Sequence, residues 1–89
     1  METVIMPIED ILDLHTFSPR EVPQLLDDYF AACIENGLFS IRVIHGKGSG
    51  ALKKKVQSLL SKHPLVVHFT DAPPDAGGWG ATLVELKRD

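Results

Sequence analysis

Between Ile11 and Thr70 the apolar residues change spacing four times, from a period of two to a spacing of three and four and back again, and this alternation restricts the chain to very few architectures. Ile11 to His15 read as a strand of about five residues, with Asp13 and His15 on one face and Leu12 and Leu14 on the other. Ser18, Pro19 and Glu21 then announce a helix: a serine N-cap, a proline at the first helical position and a carboxylate three residues on. Phe17 and Val22 are spaced as a hydrophobic staple across that start. Val22, Leu25, Leu26, Tyr29, Phe30, Cys33 and Ile34 continue the helix on one stripe until Asn36 and Gly37, where glycine suits a left-handed cap. Pro23 sits close enough to the start that its missing donor matters little.

Phe39 to Ile44 alternate as a second strand, with Phe39, Ile41 and Val43 facing one way and Ser40 and Arg42 the other. A glycine-rich loop, His45 to Gly50, leads into a second helix from Ala51 to Lys62, with Leu52, Val56, Leu59 and Leu60 inward, the lysines outward and Pro64 after its end. Leu65 to Thr70 form a third strand, Asp71 to Gly78 a loop, and Trp79 to Leu86 a fourth strand. Strand, helix, strand, helix, strand, strand is an α/β order in which each crossover joins parallel strands and the short last connection makes an antiparallel neighbour. A four-stranded mixed sheet follows, with both helices on one face and a more open face carrying Asp13, Arg42 and His68.

Eighty-nine residues make one domain, here residues 9–89 behind a loose arm at 1–8. The lone Cys33 excludes an internal disulfide and cannot by itself hold zinc, which fits a reducing, cytoplasmic setting. No apolar run approaches the roughly 18 residues of a membrane span. A net charge of −3 speaks against nucleic acid until its distribution is considered. Residues 1–40 carry −7, residues 41–70 carry +6 with no acid, and the remainder carries −2. The positive stretch would draw phosphate locally, although on charge alone a solvated helix face is the simpler account.

Three stretches carry candidate chemistry. Asp13 and His15 end the first strand and His45 ends the second, so parallel pairing gathers two imidazoles and a carboxylate at the edge where open α/β sheets bind ligands. Such a group can move protons at a phosphodiester, or hold a divalent cation through Asp13 and His15, with Mg²⁺ and Mn²⁺ as the candidates; histidines that merely close a strand remain the alternative. In His45, Gly46, Lys47, Gly48, Ser49 and Gly50, the glycines free backbone amides at a helix start, a nest for an anion that Lys47 and Lys53 can neutralise. It is not a P-loop, because Gly46 is not followed at the right distance by Gly-Lys-Ser or Gly-Lys-Thr. A plain tight turn is the alternative there. The third stretch, Gly77 to Thr82, sets Trp79 among glycines beside Gly78, where the indole either stacks on a base or packs over the sheet edge.

In this order, Leu12-Asp13-Leu14-His15, His45-Gly46-Lys47-Gly48 and the glycine-rich segment Gly77 to Thr82 resemble the three motifs of the Smr (small MutS-related) domain, over about residues 10–87. The resemblance implies a two-layer α/β sandwich similar to the C-terminal domain of bacterial translation initiation factor three. Such domains stand alone or end a larger MutS-like ATPase, and they act as nicking endonucleases on DNA or as RNA endonucleases. It implies that Asp13 and His15 serve cleavage and that His45, Gly46 and Gly48 contact the nucleic-acid backbone. One position departs from the pattern: the family usually has glycine after the first histidine, and here Thr16 follows His15, which weighs on cleavage more than on binding. Two other roles remain beside the nuclease: a non-catalytic clamp that docks a larger protein on nucleic acid, and a protein-interaction domain using the open sheet face.

Overall fold

The computed structural model describes residues 9–48 and 50–88, with the side chains of Ala76 and Trp79 excepted. The arm expected at residues 1–8, and Ser49 in the glycine loop, lie outside the described residues. Six main elements follow in order: β1 (Ile11–Asp13), α1 (Val22–Glu35), β2 (Ser40–Ile44), α2 (Ala51–Lys62), β3 (Val66–Asp71) and β4 (Ala81–Leu86). The α/β class, the element order and the mixed four-stranded sheet are as the sequence predicts. Among the described residues no helix is long and apolar enough to cross a membrane.

The sheet runs β1-β2-β4-β3. β1 and β2 are parallel, with Leu12 opposite Val43 and Asp13 opposite Ile44, while β4 lies antiparallel to both β2 and β3. The crossover through α2 therefore does not set β3 beside β2. It leaves a gap one strand wide, and β4 returns to fill it. β4 suits that central place because Thr82, Val84 and Leu86 on one face and Ala81 on the other are all buried.

Both helices cover the face bearing Leu14, Ile41, Val43, Val84 and Leu86. From α1 come Val22, Leu26, Tyr29, Phe30 and Cys33, and from α2 Val56 and Leu60, all inside one apolar cluster. The opposite face presents Asp13, Ser40, His68 and Glu85 to solvent around a shallow depression at Arg42 and Leu83.

The helix ends are set by local chemistry. A single 3₁₀ turn, Pro19–Glu21, precedes α1; the Glu21 carboxylate accepts from the Ser18 amide at 2.8 Å, and Pro23 falls in the first turn of α1, where no donor is missed. Val22 is fully buried but Phe17 stays exposed, so the predicted staple is only half realised. At the other end the Leu38 amide donates to the Cys33 carbonyl and the Gly37 amide to that of Ile34, a Schellman closure that requires the positive φ of Gly37.

Several strand limits differ from the sequence pattern: β2 starts at Ser40 and not Phe39, β3 runs one residue later than Leu65–Thr70, and two differences bear on the site. β1 stops pairing at Asp13, although the Leu14 amide still donates to the Ile44 carbonyl at 2.8 Å. β4 begins at Ala81 and not at Trp79, because Gly78–Gly80 form a 3₁₀ turn in which Gly78 takes a left-handed φ. Leu14 joins β1 to the helical layer with no exposed surface, so Leu14→Ala is expected to lower unfolding free energy by about 2–5 kcal/mol, against under about 0.5 kcal/mol for the exposed Val67→Ala, in urea titrations followed by circular dichroism.

Candidate functional site

The first candidate group is assembled by the way β1 ends. As the chain turns outward after Asp13, the His15 amide comes back to the Asp13 carboxylate at 3.0 Å, and His15 Nδ1 meets the same oxygen at 2.6 Å. A carboxylate oxygen only accepts, so neutral His15 carries its proton on Nδ1 and presents the lone pair of Nε2 outward. The two bonds from His15, backbone first and ring second, hold the Asp13 carboxyl below the usual carboxylate range and keep it ionised. Both side chains are exposed. Thr16 is exposed too, and no described residue other than glycine has a positive φ, so this turn does not need the glycine usual at that position.

The second group is the loop between β2 and α2. Gly46, Gly48 and Gly50 all take positive φ, which lets the backbone double back before the helix begins at Ala51. The loop is fastened from below by the glycine-rich segment: the Gly80 carbonyl accepts from the amides of both His45 and Gly46, at 3.0 and 2.9 Å. A methyl group at Gly80 would lie 3.0 Å from Lys47 Cγ and 3.5 Å from the Gly46 carbonyl carbon, so close approach explains that glycine. Lys47 and Gly48 are exposed on the crest. Beside them a cleft of about 270 Å³ is bounded by Pro19, the loop backbone, Lys53 and the first residues of α2. The 3₁₀ turn ahead of α1 and the start of α2 thus border one recess, where the first amides of α2 favour an anion.

His45 departs from its expected place. The sequence groups it with Asp13 and His15 as a third proton-transfer residue, but it is 95% buried, and both its ring nitrogens are engaged elsewhere. Nδ1 meets the Gly46 carbonyl at 3.1 Å and Nε2 meets Thr82 Oγ1 at 2.9 Å. Burial, reinforced by Lys53 nearby, pushes its pKa down, so His45 is neutral at pH 7. It is a part of the loop's foundation.

Lys53 also departs from expectation. Three residues before Val56, it lies on the inward side of α2, and its ammonium sits 3.1 Å from Asp71 at the end of β3. That contact, with a second from Gln57 Nε2 at 3.0 Å, lowers the Asp71 pKa. Gln57 Nε2 also reaches Thr82 Oγ1 at 3.3 Å, which links Lys53, Asp71, Gln57, Thr82 and His45 into one polar network beneath the loop. Thr82, Gln57 and Asp71 are the residues that sequence reasoning misses. The available signal is period two along β4, which puts polar Thr82 on the same inward row as Val84 and Leu86, where it needs a partner. Gly78 lies in the turn under the loop, and the Trp79 side chain lies outside the described residues.

Asp13 and His15 offer one carboxylate and one imidazole, already bonded to each other. Among the described residues no three His, Cys, Asp or Glu side chains gather closely enough to hold a metal ion. Asp13 could offer a single carboxylate to a Mg²⁺ or Mn²⁺ ion held otherwise by water and a substrate phosphate, where the ion would share the charge of the phosphate.

The Smr domain family model matches residues 12–87. The chain is 41% identical over 76 residues to the endonuclease MutS2 of Staphylococcus carnosus, covering 85% of this chain and 10% of that protein. It is equally 41% identical over 75 residues to the endonuclease MutS2 of Helicobacter pylori, with coverage of 84% and 10%. The chain therefore spans about a tenth of the length of these relatives. Among solved structures, the Smr domain of Thermus thermophilus MutS2 superimposes with a TM-score of 0.83 at 35% identity, covering 88% of this chain and 98% of that one. YdaL, a stand-alone small MutS-related protein from Escherichia coli, gives 0.82 at 25% identity over 92% and 67% of the two chains.

The neutral, buried state of His45 has a signature in stability. Its folded pKa lies below the ordinary 6.5, so below that pH the unfolded chain binds the extra proton and stability declines as pH falls, whereas Asp13 and Asp71, with lowered pKa values, lose their contribution only below about 3.8. Urea unfolding between about pH 7.5 and 5 should show wild type losing stability as pH falls and His45→Gln losing less; equal slopes would contradict a neutral His45.

Proposed function

This chain belongs to the Smr domain family, and from that premise we propose that it binds nucleic acid and hydrolyses its phosphodiester backbone. The observation that carries this reading is the Asp13–His15 contact of 2.6 Å at the end of β1, beside the β2–α2 loop. In its neutral ring, His15 Nε2, turned outward, accepts a proton from the attacking nucleophile, a water or, on RNA, the neighbouring 2′-hydroxyl, while the P–O bond to the departing oxygen breaks and that oxygen takes a proton from water. The Asp13 carboxylate holds the ring in that tautomer and stabilises the imidazolium that forms, as the carboxylate does in other Asp–His pairs. The Lys47 and Gly48 amides and the Lys47 ammonium meet the phosphate and share its growing negative charge.

Gripping through backbone amides and one lysine carries little base information, so recognition depends on the shape of the strand or branch and not on its sequence. Relatives roughly ten times as long support a role as a module of a larger MutS-like chain, while the likeness to a stand-alone small MutS-related protein supports independent action; DNA repair and RNA processing are the settings the family resemblance implies. A free, buried Cys33 fits a cytoplasmic setting.

The clamp remains the second reading, and Thr16 favours it: its side chain stands exposed directly after His15, where the family usually has none. Wild type, His15→Ala and Lys47→Ala incubated with supercoiled plasmid and with labelled RNA, in Mg²⁺, in Mn²⁺ and in EDTA, separate the two. His15→Ala should lose about 10²–10⁴-fold in cleavage rate with affinity nearly unchanged. Lys47→Ala should weaken binding of all sequences alike and reduce the salt dependence by about one ion. Binding without cleavage by wild type would establish the clamp and make Thr16→Gly the variant that restores cutting.

A further inference from the structure

Among the groups the proposed chemistry does not use, one is both buried and fully interpretable: the His45 ring and what lies behind it. The hydrogen-bond directions in this network can be assigned without reference to any ligand. The Gly46 carbonyl can only accept, so His45 Nδ1 must carry a proton. The ring is neutral, so Nε2 is a bare acceptor, and the bond of 2.9 Å to Thr82 has to be donated by the threonine hydroxyl. That hydroxyl, having given its proton to His45, is left as an acceptor toward Gln57, whose amide nitrogen lies 3.3 Å away and donates. The same amide nitrogen donates to Asp71, which is fixed in turn by Lys53. Each donor and acceptor in the chain has one consistent assignment, running from Lys53 to the Gly46 carbonyl.

The far end of that chain is the peptide bond between Gly46 and Lys47. A trans peptide holds its C=O and N–H antiparallel, so drawing the Gly46 carbonyl toward the ring turns the Lys47 amide away from it. We infer that Thr82 and Gln57 are positioning residues which lock His45 as the Nδ1–H tautomer and, through the Gly46 carbonyl, set the direction of the Lys47 amide in the loop. With the opposite tautomer, Nδ1 would face a carbonyl with two acceptors and no proton between them, and the peptide would be released to rotate. The value of this arrangement for gripping a phosphodiester rests on the function proposed above; the arrangement itself does not.

The test uses the ¹⁵N-labelled chain. Long-range ¹H–¹⁵N correlation at about pH 7 should show His45 neutral with its proton on Nδ1. In Thr82→Val, which keeps the shape and removes the hydroxyl, His45 should become a tautomer mixture and the amide resonances of Gly46, Lys47 and Gly48 should move. Thr82→Ser should restore both. Gln57→Leu, at a half-buried site, gives the second variant: without the amide donor the threonine can turn its hydroxyl, and the Nε2–H form should appear. A short oligonucleotide should bind Thr82→Val about threefold to tenfold more weakly than wild type, the effect of one misdirected hydrogen bond, with Thr82→Ser near wild type. A wild-type His45 protonated on Nε2, or loop amides unmoved in both variants, overturns the inference, and the wild-type spectrum decides the first point even where a variant fails to fold. Tautomer and loop shifts that follow the variants, in a protein that binds no oligonucleotide, would uphold the inference and dismiss the nucleic-acid reading.

Discussion

The Gly80 carbonyl holds the site together. It accepts two successive amides, from His45 and Gly46, at the point where β2 gives way to the glycine loop. Without this clamp the loop would be a run of three glycines with positive φ and little to select one conformation among many. The clamp exists because β4 lies between β2 and β3, so the turn leading into β4 passes directly under the loop. Fold and site are therefore coupled at one strand: the order that buries Thr82, Val84 and Leu86 also delivers Gly80 to the loop and Thr82 to His45.

The two candidate groups divide the work in a way their burial explains. Asp13 and His15 are exposed, local in sequence and bonded to each other, which leaves a basic nitrogen free to approach a substrate. His45 is buried, neutral and doubly engaged, which makes it a poor proton carrier and a good support. A histidine at a strand end can take either part, and the number of its ring nitrogens already satisfied decides between them.

Much of this was legible in the sequence, for identifiable reasons. The helices announced themselves through apolar stripes and through ends with their own chemistry: Glu21 bonding back to Ser18, and Gly37 closing a Schellman turn. The faces of β1 and β2 followed from period two, so Leu12 and Leu14 were separable from Asp13 and His15. The strand order was not legible, because a crossover helix joins parallel strands without saying whether another strand will come between them. The network was hidden too: Lys53 and Asp71 are eighteen residues apart and meet where α2 packs on β3, while Gln57 and Thr82 are twenty-five apart and meet only because β4 is inserted. Charge counting misled at Lys53, which belongs to the +6 stretch yet neutralises a carboxylate of the same chain. The start of β4 was misplaced because Gly78 and Gly80 bend Trp79 into a turn.

The central claim is that an anionic backbone lies across the glycine loop with His15 beside it. Chemical-shift mapping of the labelled protein against short single-stranded, duplex and branched oligonucleotides tests this most directly. The account predicts changes concentrated at His15, Gly46 to Gly50 and the first turn of α2, fading as salt rises, with Val67 and His68 on the β3 edge unmoved. Changes centred on the β3 edge or the open sheet face, with the loop silent, would contradict it.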